Sequence, residues 1–189
     1  MFFASLWTAV SVETATPAWA AALTRVEVQG RLEKAPRGLS AAEVADLGAS
    51  GGPLLAQIAN DKAVAVPIRL RAMAALTYVA TPGAHDFLEA FVIRKRPSSD
   101  AVDRALLRKA AIALGWQSGP RTVEVLSELL DHTDVDVRLD AVVALGLTRT
   151  RRAEKPLRDR LAVESDAAVR AQIENQLKTL AGEAPAKQP

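Results

Sequence analysis

Two histidines, His85 and His132, are the only imidazole side chains in the chain, so acid–base or metal chemistry would have to start from them. His85 follows a Thr-Pro-Gly turn at residues 81–83, and His132 lies in a turn that is rich in aspartate. The two positions are not equivalent, and they do not form a cluster of histidines and carboxylates with metal-ligand spacing. We therefore predict no metal-binding residue and interpret both histidines as surface or helix-capping residues.

Nucleophilic and phosphate-binding chemistry also lack a recognisable set of residues. The chain has no cysteine, which excludes disulfides, a thiolate nucleophile and zinc–thiolate sites. The glycine-rich run at residues 48–52 has no following lysine, so we interpret it as a turn and not as a phosphate-binding loop. A nucleophilic triad would need a serine or threonine beside one of the histidines. The sequence therefore predicts no catalytic residue, no cofactor and no enzymatic activity.

Two groups of basic residues could follow the phosphates of a nucleic acid. They are Arg94, Lys95 and Arg96 in one group, and Arg149, Arg151, Arg152, Lys155 and Arg158 in the other. Acidic residues are interleaved with the second group, and the whole chain is nearly balanced, with 24 Lys and Arg against 22 Asp and Glu. We interpret both groups as a solvated rim, which makes nucleic acid an unlikely partner and leaves it as an alternative to test.

The elements that would position these groups follow a repeat. The segment at residues 137–146, VRLDAVVALG, has weaker copies at residues 68–76, 106–115 and 169–177. The leucines that anchor the four copies are 38, 31 and 32 residues apart. A period of this length, built from pairs of helices, is typical of an α-solenoid. We therefore predict an all-α superhelix of about four to five helical repeats over residues 39–181.

The best copy resembles a known family. The stretch at residues 129–146, LLDHTDVDVRLDAVVALG, resembles HEAT repeats in their phycobilisome-lyase-like variant, in which an Asp-rich turn leads to Val-Arg and then to Ala-Leu-Gly. The resemblance extends, with weaker copies, over about residues 39–180. It implies that the Val-Arg helices line the concave side and that the protein is a non-catalytic scaffold for protein–protein interaction. An accessory subunit of a bilin-lyase-type enzyme is the alternative that the same resemblance suggests.

Charged residues of the motif predict a structural ladder. Asp134 and Asp166 stand at the start of motif helices, where the helix dipole favours a carboxylate. Arg138 and Arg170 follow them four residues later, on the same helix face. We interpret these four residues as supports of the fold and not as a ligand site.

Glycines set the predicted helix boundaries. Gly115 and Gly146 close two copies of the motif, and we interpret them as positions where a helix ends. Trp116 then falls in the turn after the helix, which counts against an aromatic nucleic-acid site on the concave face. Each motif helix is grouped with the helix that follows it, for example residues 67–78 with residues 84–93.

One position of each motif helix is expected to face a partner on the concave side. That position is occupied by Arg71, Lys109, Asp140 and Gln172. Their mixed charge favours a protein over a polyanion, and the extended surface of a solenoid suits a helix or a peptide. We therefore predict that these four residues contact a partner protein.

The first residues predict export. Residues 1–12 form an apolar run about as long as the core of a signal peptide, and Ala18-Trp19-Ala20 is a small-x-small pattern after Pro17. The run has no basic residue ahead of it, and it is shorter than the roughly 20 apolar residues of a membrane span. We expect a signal peptide over residues 1–20, cleavage after Ala20, and a periplasmic or secreted protein. The alternative is a cytoplasmic protein in which these residues form a buried first helix.

The two ends of the array are predicted as well. Val26, Val28 and Leu32 alternate with charged residues, so residues 21–38 are expected to form an extended lead-in or an irregular cap over the first repeat. Residues 182–189 contain two prolines and little that could be buried. We expect a disordered tail there.

Overall fold

The computed structural model describes residues 23–182, and this part of the chain is all-helical, without a β-strand. The predicted signal peptide at residues 1–20 and nearly all of the predicted tail lie outside the described residues. No helix within residues 23–182 is both long and apolar enough to cross a membrane. The helices are α1 Arg25–Lys34, α2 Ala41–Ala45, α3 Gly51–Asn60, α4 Val66–Ala75, α5 Pro82–Lys95, α6 Ala101–Gln117, α7 Thr122–Ser127, α8 Val135–Leu147, α9 Glu154–Val163 and α10 Ala167–Leu180.

The helices form two rows, which confirms the predicted α-solenoid. The motif helices α4, α6, α8 and α10 pack side by side and make the inner row. The outer row consists of α3, α5, α7 and α9, whose members touch one another less extensively. Alanines at the same motif position, Ala72, Ala110 and Ala141, are fully buried. Because these side chains are small, neighbouring inner helices approach closely, and the inner row becomes the concave side of the superhelix.

The pairing of helices into units differs from the sequence interpretation. Of its neighbours on the outer row, each motif helix packs most extensively against the one that precedes it, so the units are α3–α4, α5–α6, α7–α8 and α9–α10. The expected grouping of residues 67–78 with residues 84–93 is therefore wrong. One reason is that motif arginines bind the end of the preceding helix: Arg69 Nε donates to Ala59 O at 3.1 Å.

The N-terminal segment is a helix and not an extended lead-in. Thr24 accepts a hydrogen bond from the backbone of Glu27, whose side chain in turn accepts one from the backbone of Thr24. This capping box satisfies orphan N–H groups and starts α1. Val28 and Leu32 lie one helical turn apart and are fully buried, and α1 packs on α3 and α4. The i, i+4 spacing of Val28 and Leu32, and not the alternation with charged residues, reflects the true structure of this segment. The helix α1 covers the first unit as a cap.

Gly115 and Gly146 do not end their helices. Both lie inside a helix, α6 and α8 respectively, and both are buried. A Cβ atom added to Gly115 would lie 2.9 Å from the backbone Cα of Ala144, on the neighbouring helix α8. One added to Gly146 would meet the side chain of Gln176 on α10. These glycines are therefore required by close contact between inner helices and not by a helix C-cap.

Candidate functional site

The predicted partner contacts lie on the inner row, but they have different neighbours. Arg71 donates through Nη1 to the carbonyl of Leu32 at 3.0 Å. Lys109 is exposed, and Gln172 is partly exposed. Asp140 accepts a hydrogen bond from Arg108 Nε at 2.6 Å. Arg71 and Lys109 line one cavity, whereas Asp140 and Gln172 do not.

That cavity, which we call the aromatic pocket, lies between α4, α6 and the loop that precedes α2. Its volume is about 260 Å³. Its walls are formed by the loop residues Arg37, Gly38 and Leu39, by Arg71, Ala74, Ala75, Thr77 and Tyr78, and by Lys109, Ile112 and Trp116. The loop closes one end of the inner surface, so an open groove becomes a bounded pocket.

Two aromatic side chains of the pocket are about half exposed to solvent. Tyr78 is 53% exposed and Trp116 is 51% exposed. The placement of Trp116 in a turn is wrong, because α6 continues to Gln117 and carries the indole on the inner row. Exposed aromatic rings offer a large apolar area together with a polar edge, and such side chains are enriched at binding surfaces. The pocket therefore offers a ligand both apolar area and polar groups on the inner surface.

Gln117 holds the two aromatic residues next to each other. Its Nε2 donates to the carbonyl of Leu76 at 2.7 Å and to the carbonyl of Val79 at 3.0 Å. These carbonyls belong to the first residue of the short 3-10 turn that carries Tyr78 and to the residue that follows this turn. The end of α6 is thus tied to the end of α4, which fixes Trp116 relative to Tyr78.

Arg149 borders the same indole from the next unit. Its φ of +52° is unusual for a residue with a side chain, and the residue follows Thr148, the C-cap of α8. The Cζ atom of its guanidinium lies 5.9 Å from the centroid of the Trp116 ring, within range of a cation–π interaction. The ring of Trp116 therefore has a cation close by as well as a solvent-exposed surface.

The charge of the aromatic pocket has one sign. Its lining includes Arg37, Arg71 and Lys109 and no carboxylate. Among residues 23–182, none of these three forms an ion pair, and neither does Arg149. The pocket therefore presents positive charge that is not neutralised by the described part of the protein.

The two basic groups singled out in the sequence are different, because most of their members are paired. Salt bridges join Lys95 to Asp103, Arg96 to Glu128, Arg152 to Glu124, Lys155 to Asp159, and Arg158 to Glu154. Most of these residues lie on the outer row or on its turns. Their charge is thus largely compensated locally, in contrast to the charge of the aromatic pocket.

The predicted ladder residues make other contacts than an i, i+4 ion pair. Asp134 and Asp166 act as N-caps and accept two backbone N–H groups each at the starts of α8 and α10. Arg138 does not pair with Asp134. It binds both carboxylate oxygens of Glu164, at 2.9 and 3.0 Å. Arg170 donates to the carbonyl of Leu161 at 3.0 Å, near the end of the preceding helix.

Glu164 is a buried carboxylate that sequence reasoning missed. Its side chain is fully buried, and it also receives hydrogen bonds from Arg160 Nε and from the backbone of Asp166, both at 2.9 Å. The hydrogen bonds from Arg138, together with those from Asp166 and Arg160, lower the pKa of Glu164 from 4.5 to about 2. The same pairing raises the pKa of Arg138. The result is a buried ion-pair network that joins α8 to the C-terminal end of α9.

A positional signal could have identified Glu164. It stands two residues before the N-cap Asp166, as His132 stands two residues before Asp134. Both side chains accept a hydrogen bond from the backbone N–H of the aspartate, at 2.9 Å from Asp166 and 3.0 Å from Asp134. His132 therefore has a turn-stabilising role, and alignment of the turns points to the same role for Glu164.

The remaining candidates for chemistry are not brought together. His85 has an Nε2 atom that is buried without a hydrogen-bond partner, and the nearest carboxylate oxygen in a salt-bridge geometry is that of Glu89 at 3.8 Å. Ser50 lies in a G-x-S-x-G spacing, but it belongs to a 3-10 turn between two helices, unlike the strand-to-helix elbow of a serine hydrolase. Within residues 23–182 there is no group of three or more side chains placed to hold a metal ion.

Comparison with known proteins agrees with this architecture. Residues 98–178, which span α6 to α10, match the family model for HEAT repeats, and this match supports the resemblance to HEAT repeats that the sequence motif indicates. HEAT repeats are generally scaffolds for protein interaction and are usually non-catalytic. A search of curated proteins finds no match to the chain. The phycobilisome-lyase-like variant, and the bilin-lyase alternative that rests on it, stay predictions.

Proposed function

We propose that this protein is a non-catalytic interaction module whose inner row of helices binds a partner protein. The observation that supports it is the aromatic pocket, where the half-exposed Tyr78 and Trp116 lie beside cations that form no ion pair within the described part of the chain. Solenoids of this kind bind partners through their extended inner surface. In this proposal Arg71 and Lys109 contact the partner at the pocket, while Asp140 and Gln172 extend the contact surface towards α10.

Site-specific photocrosslinking in the native type of host tests the proposal. A photoreactive amino acid at Gln172, on the inner row, should give a discrete crosslinked protein, and one at Arg158, on the outer row, should not. Replacing Lys109 and Asp140 together should reduce the yield of the Gln172 adduct. Equal adducts from both faces, or none from the inner row, would contradict the proposal.

Nucleic-acid binding is the second candidate, and one observation favours it. Trp116 lies on the inner row with Arg149 beside it, which is the combination of a stacking ring and a cation found in single-strand binding sites. Tight binding of a labelled oligonucleotide that weakens steeply with salt would support this candidate. Binding that stays weak at about 50 mM salt would remove it.

We also propose that the protein is exported and that its mature form begins at Ala21. Support comes from the signal-like pattern of residues 1–20 and from the capping box of Thr24 and Glu27, which starts α1 with side chains that lie downstream of the cleavage site. The intact mass of the protein purified from extracytoplasmic fractions should correspond to residues 21–189. A full-length product in the cytoplasm would overturn the proposal.

A further inference from the structure

We infer that the aromatic pocket binds a short acidic peptide segment of the partner protein, with an apolar side chain of that segment seated between Tyr78 and Trp116. This inference rests on the proposed function and adds the chemistry of the partner. It concerns one region of the inner row, at the junction of α4 and α6, and not the whole surface.

The size of the pocket suits a side chain and not a whole small molecule. Its volume of about 260 Å³ lies below the roughly 300–1,000 Å³ of sites for drug-sized ligands. The buried floor is formed by Ala75 and the wall by Ile112 and Leu39, which are apolar. One anchor residue of a peptide could therefore be desolvated there while the peptide backbone stays at the surface.

The charges around the pocket select an acidic segment. Arg37, Arg71 and Lys109 line the pocket, and Arg149 lies at the far side of the indole of Trp116. Opposite charges across an interface steer the encounter and disfavour partners of the wrong sign. A basic or strongly cationic peptide would meet four positive charges that form no ion pair among residues 23–182, whereas Asp or Glu beside the anchor would pair with them.

The length of the positive region argues for a short segment and against a continuous polyanion. The next inner helix, α8, places Asp136 and Asp140 at the surface, and both are engaged by Arg108, with one guanidinium facing two carboxylates. On α10 the equivalent residue is the neutral Gln172, with Glu174 exposed nearby. A nucleic acid laid along the whole inner row would leave the positive region after α6 and meet the carboxylates of Asp136 and Asp140.

The exposed lysines of the chain provide a matched test. Lys109 lies in the pocket, and Lys62 is an exposed lysine in the turn between α3 and α4, away from the pocket lining. Lys109→Glu and Lys62→Glu change the net charge of the protein equally. A general attraction between an acidic peptide and a basic protein would therefore respond to both variants alike.

The experiment measures fluorescence anisotropy of a labelled peptide of about twelve residues, built from Glu and Asp around one Leu and one Phe. The full-length chain should bind it, and Lys109→Glu should weaken binding about tenfold, while Lys62→Glu should change it less than about twofold. Trp116→Ala should also weaken binding, with circular dichroism showing that the variant is folded. A peptide with Gln and Asn in place of the acids should bind markedly more weakly.

Several outcomes would overturn the inference. Equal effects of Lys109→Glu and Lys62→Glu would mean nonspecific attraction, and equal binding of the amide peptide would mean that charge does not select the ligand. An oligonucleotide that binds in a Lys109-dependent way, when the acidic peptide does not, would assign the pocket to nucleic acid. A dimer in light scattering that Lys109→Glu dissociates would assign it to a second copy of the chain. Failure of the peptide alongside inner-row crosslinks from Gln172 would refute the inference and leave the proposed function standing.

Discussion

The two buried glycines of the inner row, Gly115 and Gly146, have very different neighbours. Gly115 lies against the backbone of Ala144, which belongs to a packed helix and cannot rotate away. Gly146 lies against the side chain of Gln176, a partly exposed residue whose amide can adopt another rotamer. Both glycines cost helix stability relative to alanine, by roughly 0.5–1 kcal/mol each. The net effect of replacing glycine by alanine, a gain in helix stability against a steric clash of the added methyl group, should therefore differ between Gly115 and Gly146.

Gly115→Ala is expected to lower the free energy of unfolding by about 1–2 kcal/mol, because overpacking against backbone costs more than the gain in helix propensity. Gly146→Ala is expected to be within about 0.5 kcal/mol of the wild type, since Gln176 can move. Urea denaturation followed by circular dichroism measures both. Equal losses for the two variants would show that the backbone contact of Gly115 is not what constrains it.

Glu164 is the residue at which pH should act most clearly on stability. Its pKa in the folded protein, about 2, lies below its ordinary value of 4.5, so the folded state favours the ionised form. The stabilisation is therefore fully present above about pH 5 and is lost as the pH falls towards 2. Arg138 is itself buried and would be left with an uncompensated charge when Glu164 is protonated.

Glu164→Gln should destabilise the protein at neutral pH by about 3 kcal/mol, as expected when one member of a buried ion pair is neutralised. It should also make the loss of stability between pH 5 and pH 2 shallower than in the wild type. The control is Asp159→Asn, which removes an exposed pair with Lys155 and should cost less than about 1 kcal/mol. Thermal unfolding at a series of pH values gives both quantities, and parallel curves for wild type and Glu164→Gln would be inconsistent with this role.

At the scale of elements, α1 is predicted to work as the cap of the array. Leu32→Ala should lower the free energy of unfolding by about 2–5 kcal/mol, because Leu32 is fully buried against the first unit. Val26 is 80% exposed on the same helix, so Val26→Ala should have almost no effect. Denaturant unfolding of the two variants compares them directly. A neutral Leu32→Ala would mean that the array does not depend on α1.

The sequence was informative where a local rule decides the structure. The repeated alanines and the Val-Arg helices predicted a solenoid. The capping box of Ser40 and Glu43 at the start of α2 is another feature that follows a local rule, since its S-x-x-E spacing is visible in the sequence. The boundary of α6 was missed, because Gly115 is read locally as a helix stop while its real constraint is a contact with another helix. The same error moved Trp116 from the inner row into a turn. Contacts between residues that are distant in the chain, such as Gly115 and Ala144, cannot be deduced from a single sequence.

The pairing of helices could not be deduced from the sequence for a related reason. The motif helices α4, α6 and α8 are each joined by short turns to a helix on either side, and the loop lengths do not distinguish the two choices. Arg69 and Arg170 favour pairing with the preceding helix, because each donates a hydrogen bond to a carbonyl near the end of that helix. The aromatic pocket was missed as well, since its residues come from three segments of the chain.

At the scale of the whole molecule, the structure predicts a gradient of stability from the middle to the ends. The central helices α6 and α8 each bury seven residues, whereas α10 buries three and α9 one. In a solenoid each unit is supported mainly by its neighbours, and among residues 23–182 the unit α9–α10 has a neighbouring unit on one side only. Local opening should therefore be easiest near the C-terminal end.

Hydrogen–deuterium exchange followed by mass spectrometry measures this gradient. Amides of α6 and α8 should exchange most slowly, and those of α9 and α10 should exchange faster, because they can open without disrupting the central units. Glu164→Gln should accelerate exchange in α9 and α10 more than in α4. Uniform protection along residues 23–182 would instead indicate one cooperative unit.

The close contact between Gly115 and Ala144 also affects the curvature of the inner surface. Because the inner helices touch closely while the outer helices are farther apart, the spacing at this point sets the radius of the arc. A methyl group at Gly115 would straighten the arc locally and move Arg149 relative to Trp116. The buried Gly115 thus helps to determine the shape of the inner surface, although a partner would not touch it. Substitution of a buried glycine changes the shape of this surface, whereas substitution of an exposed residue such as Lys109 changes its charge.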